Sequence, residues 1–155
     1  MTLIVLLVAT LVFRSLGALG VGRFGTWRVS AVHGLAVMMV MTASAHFVPA
    51  GVTFMPNRAD MAAMVPPFVP FPAFMVYLSG VLELAGAVGL VLPATRRVAA
   101  ICLALLFVVL LPANIYAAME EVGEWSPLWQ RIPEQVVYIA VALMGAVRRS
   151  SERVS

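Results

Sequence analysis

Hydrophobic positions along this chain come in long unbroken runs. They do not keep to one face of a helix or to alternate residues of a strand. Five runs approach the roughly 20 residues that an α-helix needs to cross a bilayer. They cover about Leu3–Leu19, Val29–Val48, Pro72–Leu92, Val98–Met119 and Arg131–Val147. Each is apolar all the way round, as helices embedded in lipid or among other helices are. The pattern predicts an all-α polytopic membrane helix bundle. Residues 1–155 form one transmembrane domain, with a loop over 49–71 between the second and third helices. The first run lacks a basic start, carries Arg14 in its second half and meets no clean small-residue cleavage site. It therefore reads as a retained helix and not as a signal peptide.

Charges between the runs set the expected orientation. Arg23 and Arg28 separate the first two helices, Arg96 and Arg97 the third and fourth, and Arg148, Arg149 and Arg153 follow the fifth. With five spans these all fall on one side. The other side carries Arg58, Asp60, Glu120, Glu121 and Glu124, with Arg131 as one further cation. Positive residues collect on the cytoplasmic side. The expectation is a multi-pass cell-membrane protein with its N-terminus outside and its C-terminus in the cytoplasm.

Composition supports a lipid environment. The chain is 63% hydrophobic and 11% charged, against about half apolar and a quarter charged in soluble domains. Its mean hydropathy is +1.02. There are ten arginines and no lysine. They are scattered and form no basic stripe interleaved with exposed aromatics, so nucleic acid is not an expected partner. Cys102 is the single cysteine, which rules out an internal disulfide and a CxxC redox pair.

The loops differ in kind. "PATRR" is a minimal turn, so the helices either side of it form an antiparallel hairpin. The 49–71 segment is much longer. Its "VPPFVPFP" should be extended or turned, because proline fixes φ and removes a donor. "NRADMAAMV" before it has room for one or two helical turns, with Asn57 as the cap. Phe68, Phe71 and Met64 make the segment too apolar to stand in water. It is expected to fold over the outer helix ends as a lid, with Pro66, Pro67, Phe68 and Pro70 at its centre.

Ionisable residues inside a bilayer are costly and mark candidate sites. Glu83 lies eleven residues after Pro72, about 16 Å along a helix and near mid-membrane. Ser79 is one turn before it on the same face. His46, Asn114, Tyr116 and Gln135 sit in the outer halves of three other helices. Pro112 removes a helix hydrogen bond just below Asn114. The expectation is an outer-leaflet pocket floored by Glu83 and roofed by the prolines. Plainer readings stand beside it. Glu83 could be a structural acid bonded to Ser79, Asn114 or Arg14. His46 could meet headgroups. Asn114 and Gln135 could be interhelical glue, and Tyr116, Trp125 and Trp129 an aromatic belt.

Other chemistries find less support. His33 and His46 have a spacing used for stacked haems, but no histidine on another helix completes either ligation. Zinc takes three or four N, S or O ligands, and the cluster offers mainly His46 and Glu83. Met38, Met39, Met41, Met61 and Met64 could hint at copper, yet methionine is also a common filler of irregular cores. No resident metal or cofactor is expected. A quinone is the candidate ligand.

"SAHFVP", "MVPPFVPFPAFMVYLSGVLELAGAVGLVLPATRRVAA" and "LLPANIYAAM", in that order and spacing, resemble the DoxX-like family of small integral membrane proteins. The resemblance covers about Trp27–Val147. It implies a four-helix core formed by the second to fifth helices, with the first as an addition. His46, Pro67, Glu83, Arg96, Pro112 and Asn114 match positions characteristic of that pattern. The family takes its name from a subunit of a thiosulfate:quinone oxidoreductase, and other members resemble redox-stress assemblies or membrane chaperones. It implies no agreed catalytic residues.

The leading expectation is therefore a subunit that binds a quinone or another lipophilic molecule and associates with a membrane redox enzyme. It would not be an enzyme on its own. The alternative is a non-enzymatic scaffold, assembly or chaperone-like protein, packing small-residue faces such as Gly80, Gly86 and Gly89 on a partner or second copy. A small-solute transporter is less favoured, because no inverted repeat is visible. Membrane lipid, a redox-enzyme partner or a homodimer are the expected partners.

Overall fold

In a computed structural model of the chain, residues 1–123 and 126–147 are described. Glu124, Trp125, Arg148, Arg149 and Arg153, used above for orientation and the aromatic belt, lie outside the described residues. The described elements are helices α1 (Thr2–Ala18), α2 (Trp27–Ala45), α3 (Arg58–Ala63), α4 (Pro72–Val91), α5 (Arg96–Glu120) and α6 (Leu128–Ala146), with a 3₁₀ turn at Gly22–Phe24. Among the described residues there is no strand.

All five apolar runs are helical, and α3 is the short helix expected within the loop. Three helices, α2, α4 and α5, are long and apolar enough to cross a membrane. The apolar α1 is shorter, at 17 residues. α6 has 19 residues, but Gln130, Arg131, Glu134 and Gln135 crowd its first half.

Local chemistry fixes the ends. The Thr26 hydroxyl accepts from the Val29 amide and starts α2. Asn57 caps α3 in a capping box: its side chain accepts from Ala59 and Asp60, and the Asp60 carboxylate accepts from the Asn57 amide. Pro72 opens α4, where its missing N–H costs nothing. α5 runs on through Pro112 and ends at Glu121 in the left-handed region, φ 53°.

α2 is the centre of the bundle, packing against α1, α4 and α6. Only Val37, Val40, Met41 and Ser44 are exposed between Val29 and Ala45. α1 lies antiparallel along it. A Cβ at Gly34 would run into the backbone of Leu6 and Thr10, so only glycine lets these two helices approach this closely. The core gathers Leu35, Met38, Leu90, Leu103 and Phe107 from three helices.

The helices do not end level. His46, just past α2, packs against Gly80 and bonds to Val76. α4 therefore continues for one to two turns beyond the end of α2. The segment 47–71 drops back over that step, held where Arg58 donates to the Tyr77 hydroxyl and stacks over its ring. The step is what gives the lid something to cover.

Candidate functional site: a lidded cavity at the stepped end

Beneath the lid is a cavity of about 450 Å³. Its wall is mostly apolar, with several methionines, and the polar side chains on it come from every long helix. Thr42 and His46 come from the end of α2, Ser79 and Glu83 from α4, Asn114 from α5, and Arg131, Gln135 and Tyr138 from α6, with Thr2 of α1 at the edge.

The centre of the polar wall is His46 and Glu83. Glu83 is 5% exposed and His46 9%. His46 Nε2 lies 3.6 Å from Glu83 Oε1. The other ring nitrogen, Nδ1, is 2.8 Å from the Val76 carbonyl. A carbonyl only accepts, so Nδ1 carries the hydrogen. Nε2 then faces the Glu83 carboxyl at 3.6 Å, and a proton on either group makes the pair imidazolium and carboxylate or imidazole and carboxylic acid. A buried carboxylate must be paired or neutral, and this arrangement permits either. The Thr42 hydroxyl has two acceptors in reach, Glu83 Oε2 at 3.4 Å and Met39 O at 3.2 Å. Ser79 Oγ donates to Val76 O at 2.9 Å and sits 3.2 Å from His46 Nδ1, buttressing the ring.

The other expected residues divide. Asn114 reaches the wall. So does Gln135, whose Nε2 donates to the Phe107 carbonyl at 2.7 Å and leaves its oxygen for other partners. Tyr116 does not line the cavity. It lies two residues after Asn114, about 200° round the helix. Of the lid residues, Pro66 and Phe68 face the cavity, while Pro67 and Pro70 are exposed on its outside. Arg14 is not a partner of Glu83: its guanidinium stacks on Trp27, 5.5 Å from the ring centre, at the opposite end. His33 also lies at that end, among the rings of Phe13 and Phe24.

Sequence reasoning missed four polar groups. Thr42 is one turn before His46 on the same face and was legible by spacing. Tyr138 is one turn after Gln135, and its hydroxyl is 2.7 Å from Thr2 Oγ1, tying α6 to α1. Nothing in the sequence marks that Thr2–Tyr138 pairing, since it joins residues at opposite ends of the chain. Glu134, 7% exposed, is a second buried acid, and Gln130 Nε2 donates to it at 3.2 Å.

Residues 35–146, from the middle of α2 to the end of α6, match the sequence model of a family described as a domain of unknown function. The chain belongs to the DUF8561 family. The DUF8561 match takes in the polar wall and the lid, and α1 lies outside it. No curated protein and no solved structure matches this DUF8561 chain significantly. Among its described residues, no three His, Cys, Asp or Glu side chains gather as a metal site would require.

Proposed function

We propose that this DUF8561 protein binds a quinone or a similar lipophilic carbonyl compound beneath the lid, as a subunit of a membrane redox system. The observation that carries this reading is the close approach of two buried titratable groups, His46 Nε2 and Glu83 Oε1 at 3.6 Å, on the wall of a mostly apolar cavity. Apolar walls suit a ring and an isoprenoid tail, and a few convergent polar groups orient the ring. The Asn114 amide can donate to a quinone carbonyl, and the Gln135 oxygen can accept from the hydroxyl of the quinol. Reducing a quinone to a quinol takes two electrons and two protons. His46 and Glu83 deliver one proton and are reprotonated from the aqueous side to deliver the second, and the electrons come from a redox partner. The resemblance to DoxX-like proteins belongs to the same proposal, as do five spans and an arginine-bearing end in the cytoplasm.

The scaffold reading is the weaker one. Gly80, Gly86 and Gly89, the small residues offered to a partner, are buried against His46, Leu103 and Ala99 of the same chain.

The test is Glu83→Gln. Titrating a short-chain quinone into purified protein should show binding about ten-fold weaker than wild type, the loss expected when a charge-assisted hydrogen bond is removed. Unchanged affinity for the quinone, together with an unchanged redox phenotype in cells, would remove the proposal.

A further inference from the structure

A second concavity, of about 530 Å³, lies on the other half of the bundle, open to the side. Phe13 of α1, Val37 and Val40 of α2, and Val88, Val91 and Leu92 of α4 line it, and its surface is almost wholly apolar. It runs over the one exposed stripe of the central helix. At its mouth the chemistry changes abruptly. Arg23 Nη2 donates to the Val91 carbonyl at 2.6 Å, and Arg96 Nη2 donates to the same oxygen at 3.2 Å. Two guanidiniums thus sit on a residue that forms the groove wall. Arg28 is also within electrostatic reach of Arg96. Among the described residues, none of these three arginines forms an ion pair with a carboxylate.

An apolar trough ending in uncompensated positive charge is complementary to an amphiphile with an anionic head. We propose that this groove holds an anionic phospholipid of the leaflet at the arginine-bearing end, its acyl chain along Val37, Val40 and Val88 and its phosphate at Arg23, Arg28 and Arg96. Backbone carbonyls already neutralise part of each guanidinium's hydrogen-bonding capacity, but they carry no net charge. The phosphate supplies the missing counter-charge. A zwitterionic lipid brings its own cation to the same place and fits less well. The site is independent of the lidded cavity, which lies at the other end.

The experiment is native mass spectrometry of the full chain, released from detergent after incubation with equal amounts of dioleoyl phosphatidylglycerol and dioleoyl phosphatidylcholine. Each arginine near a headgroup contributes roughly a five-fold preference for an anionic lipid. Wild type should therefore retain phosphatidylglycerol at least about five-fold better, and Arg23→Gln should lower its own preference about five-fold relative to wild type. Val37→Trp, a surface substitution that fills the trough, should abolish phosphatidylglycerol retention. Equal retention of the two lipids by wild type overturns the proposal. So does a preference that survives Val37→Trp or that Arg23→Gln leaves undiminished. A dimer that Val37→Trp splits, with no lipid lost, also overturns it and makes the groove a protein interface.

Discussion

The two ends of this bundle use polar side chains in opposite ways. At the arginine-bearing end they are spent on the backbone. Arg96 Nε donates to Leu90 O at 2.8 Å, Arg96 and Arg23 share Val91 O, and Thr95 Oγ1 donates to Gly89 O at 3.0 Å. These are the last carbonyls of α4, which have no partner inside the helix. The end is closed over the backbone, and only the net charge of its guanidiniums is left for a headgroup. At the lidded end, Glu83 lies 3.6 Å from His46 and 3.4 Å from Thr42 on the wall of a cavity, and the group retains capacity for a ligand. Equal polarity in the sequence thus conceals two roles, and the difference lies in whether a helix end is there to be capped. α4 overshoots α2 at one end, and that step leaves side chains with a cavity in place of a backbone.

The largest effect that tests this contrast is a substitution that fills the step. Gly80 lets α4 lie against His46, and a Cβ there would come to 2.7 Å from the His46 Cβ. Gly80→Leu should cost about 3 kcal/mol, the upper range for overpacking a tight contact. It should also displace His46 from Glu83. Thermal unfolding in detergent reads the first effect and quinone titration the second. A fully stable Gly80→Leu that still binds would mean the step is not what shapes the site.

Next is the closed end. Arg96→Met removes the donor for the Leu90 carbonyl and one donor for Val91, and should destabilise by about 2 kcal/mol through the unmet acceptor. Quinone affinity should not change. If Arg96→Met weakened quinone binding as much as Glu83→Gln, the two ends would not be separate in function and the contrast would fail.

Much of this was readable from the residues. The helix boundaries fall within a few residues of those expected, because all-apolar runs bounded by Gly, Pro and Arg leave few alternatives. His46, Ser79, Glu83, Asn114 and Gln135 do meet at one cavity, since antiparallel neighbours of known length bring known depths together. Tyr116 shares the depth of Asn114 but not its direction, because two residues along a helix is the far face. The same holds in reverse for Thr42, one turn before His46 on the same face. By size alone Gly80, Gly86 and Gly89 suit a partner's helix, whereas His46, Leu103 and Ala99 of the same chain pack against them. The step between α2 and α4 was not legible at all. It depends on where His46 meets Gly80, a register that hydropathy does not encode.

A smaller effect concerns the lid's own fold. Asn57 caps α3 and its Nδ2 also donates to Val52 O at 3.0 Å, so one side chain holds both sides of the loop. Asn57→Ala should cost the lid about 1 kcal/mol, as losing an N-cap does. Hydrogen–deuterium exchange across 58–66 should then run about five-fold faster, while α4 and α5 stay unchanged. Faster exchange throughout the bundle would show that the lid is a structural part of the core and not a separately opening cover.

The smallest effect is at the lid's outer latch. Arg58 stacks 5.3 Å from the centre of the Tyr77 ring and donates to its hydroxyl. Tyr77 is on α4, so this contact joins the lid to the bundle. It is exposed to solvent or headgroups, and such cation–aromatic contacts contribute about 0.5–1 kcal/mol. Arg58→Gln should therefore speed exchange in 58–66 by about two-fold, less than Asn57→Ala. Tyr77→Phe keeps the ring face and loses only the hydroxyl, so its effect should be smaller again. The order matters more than the sizes. If Arg58→Gln exceeded Asn57→Ala, the lid would be held chiefly from outside, by a single exposed contact that headgroup charge could compete for. Opening would then depend on the lipid surface at that end, and the lidded end would be governed by charge as the arginine-bearing end is.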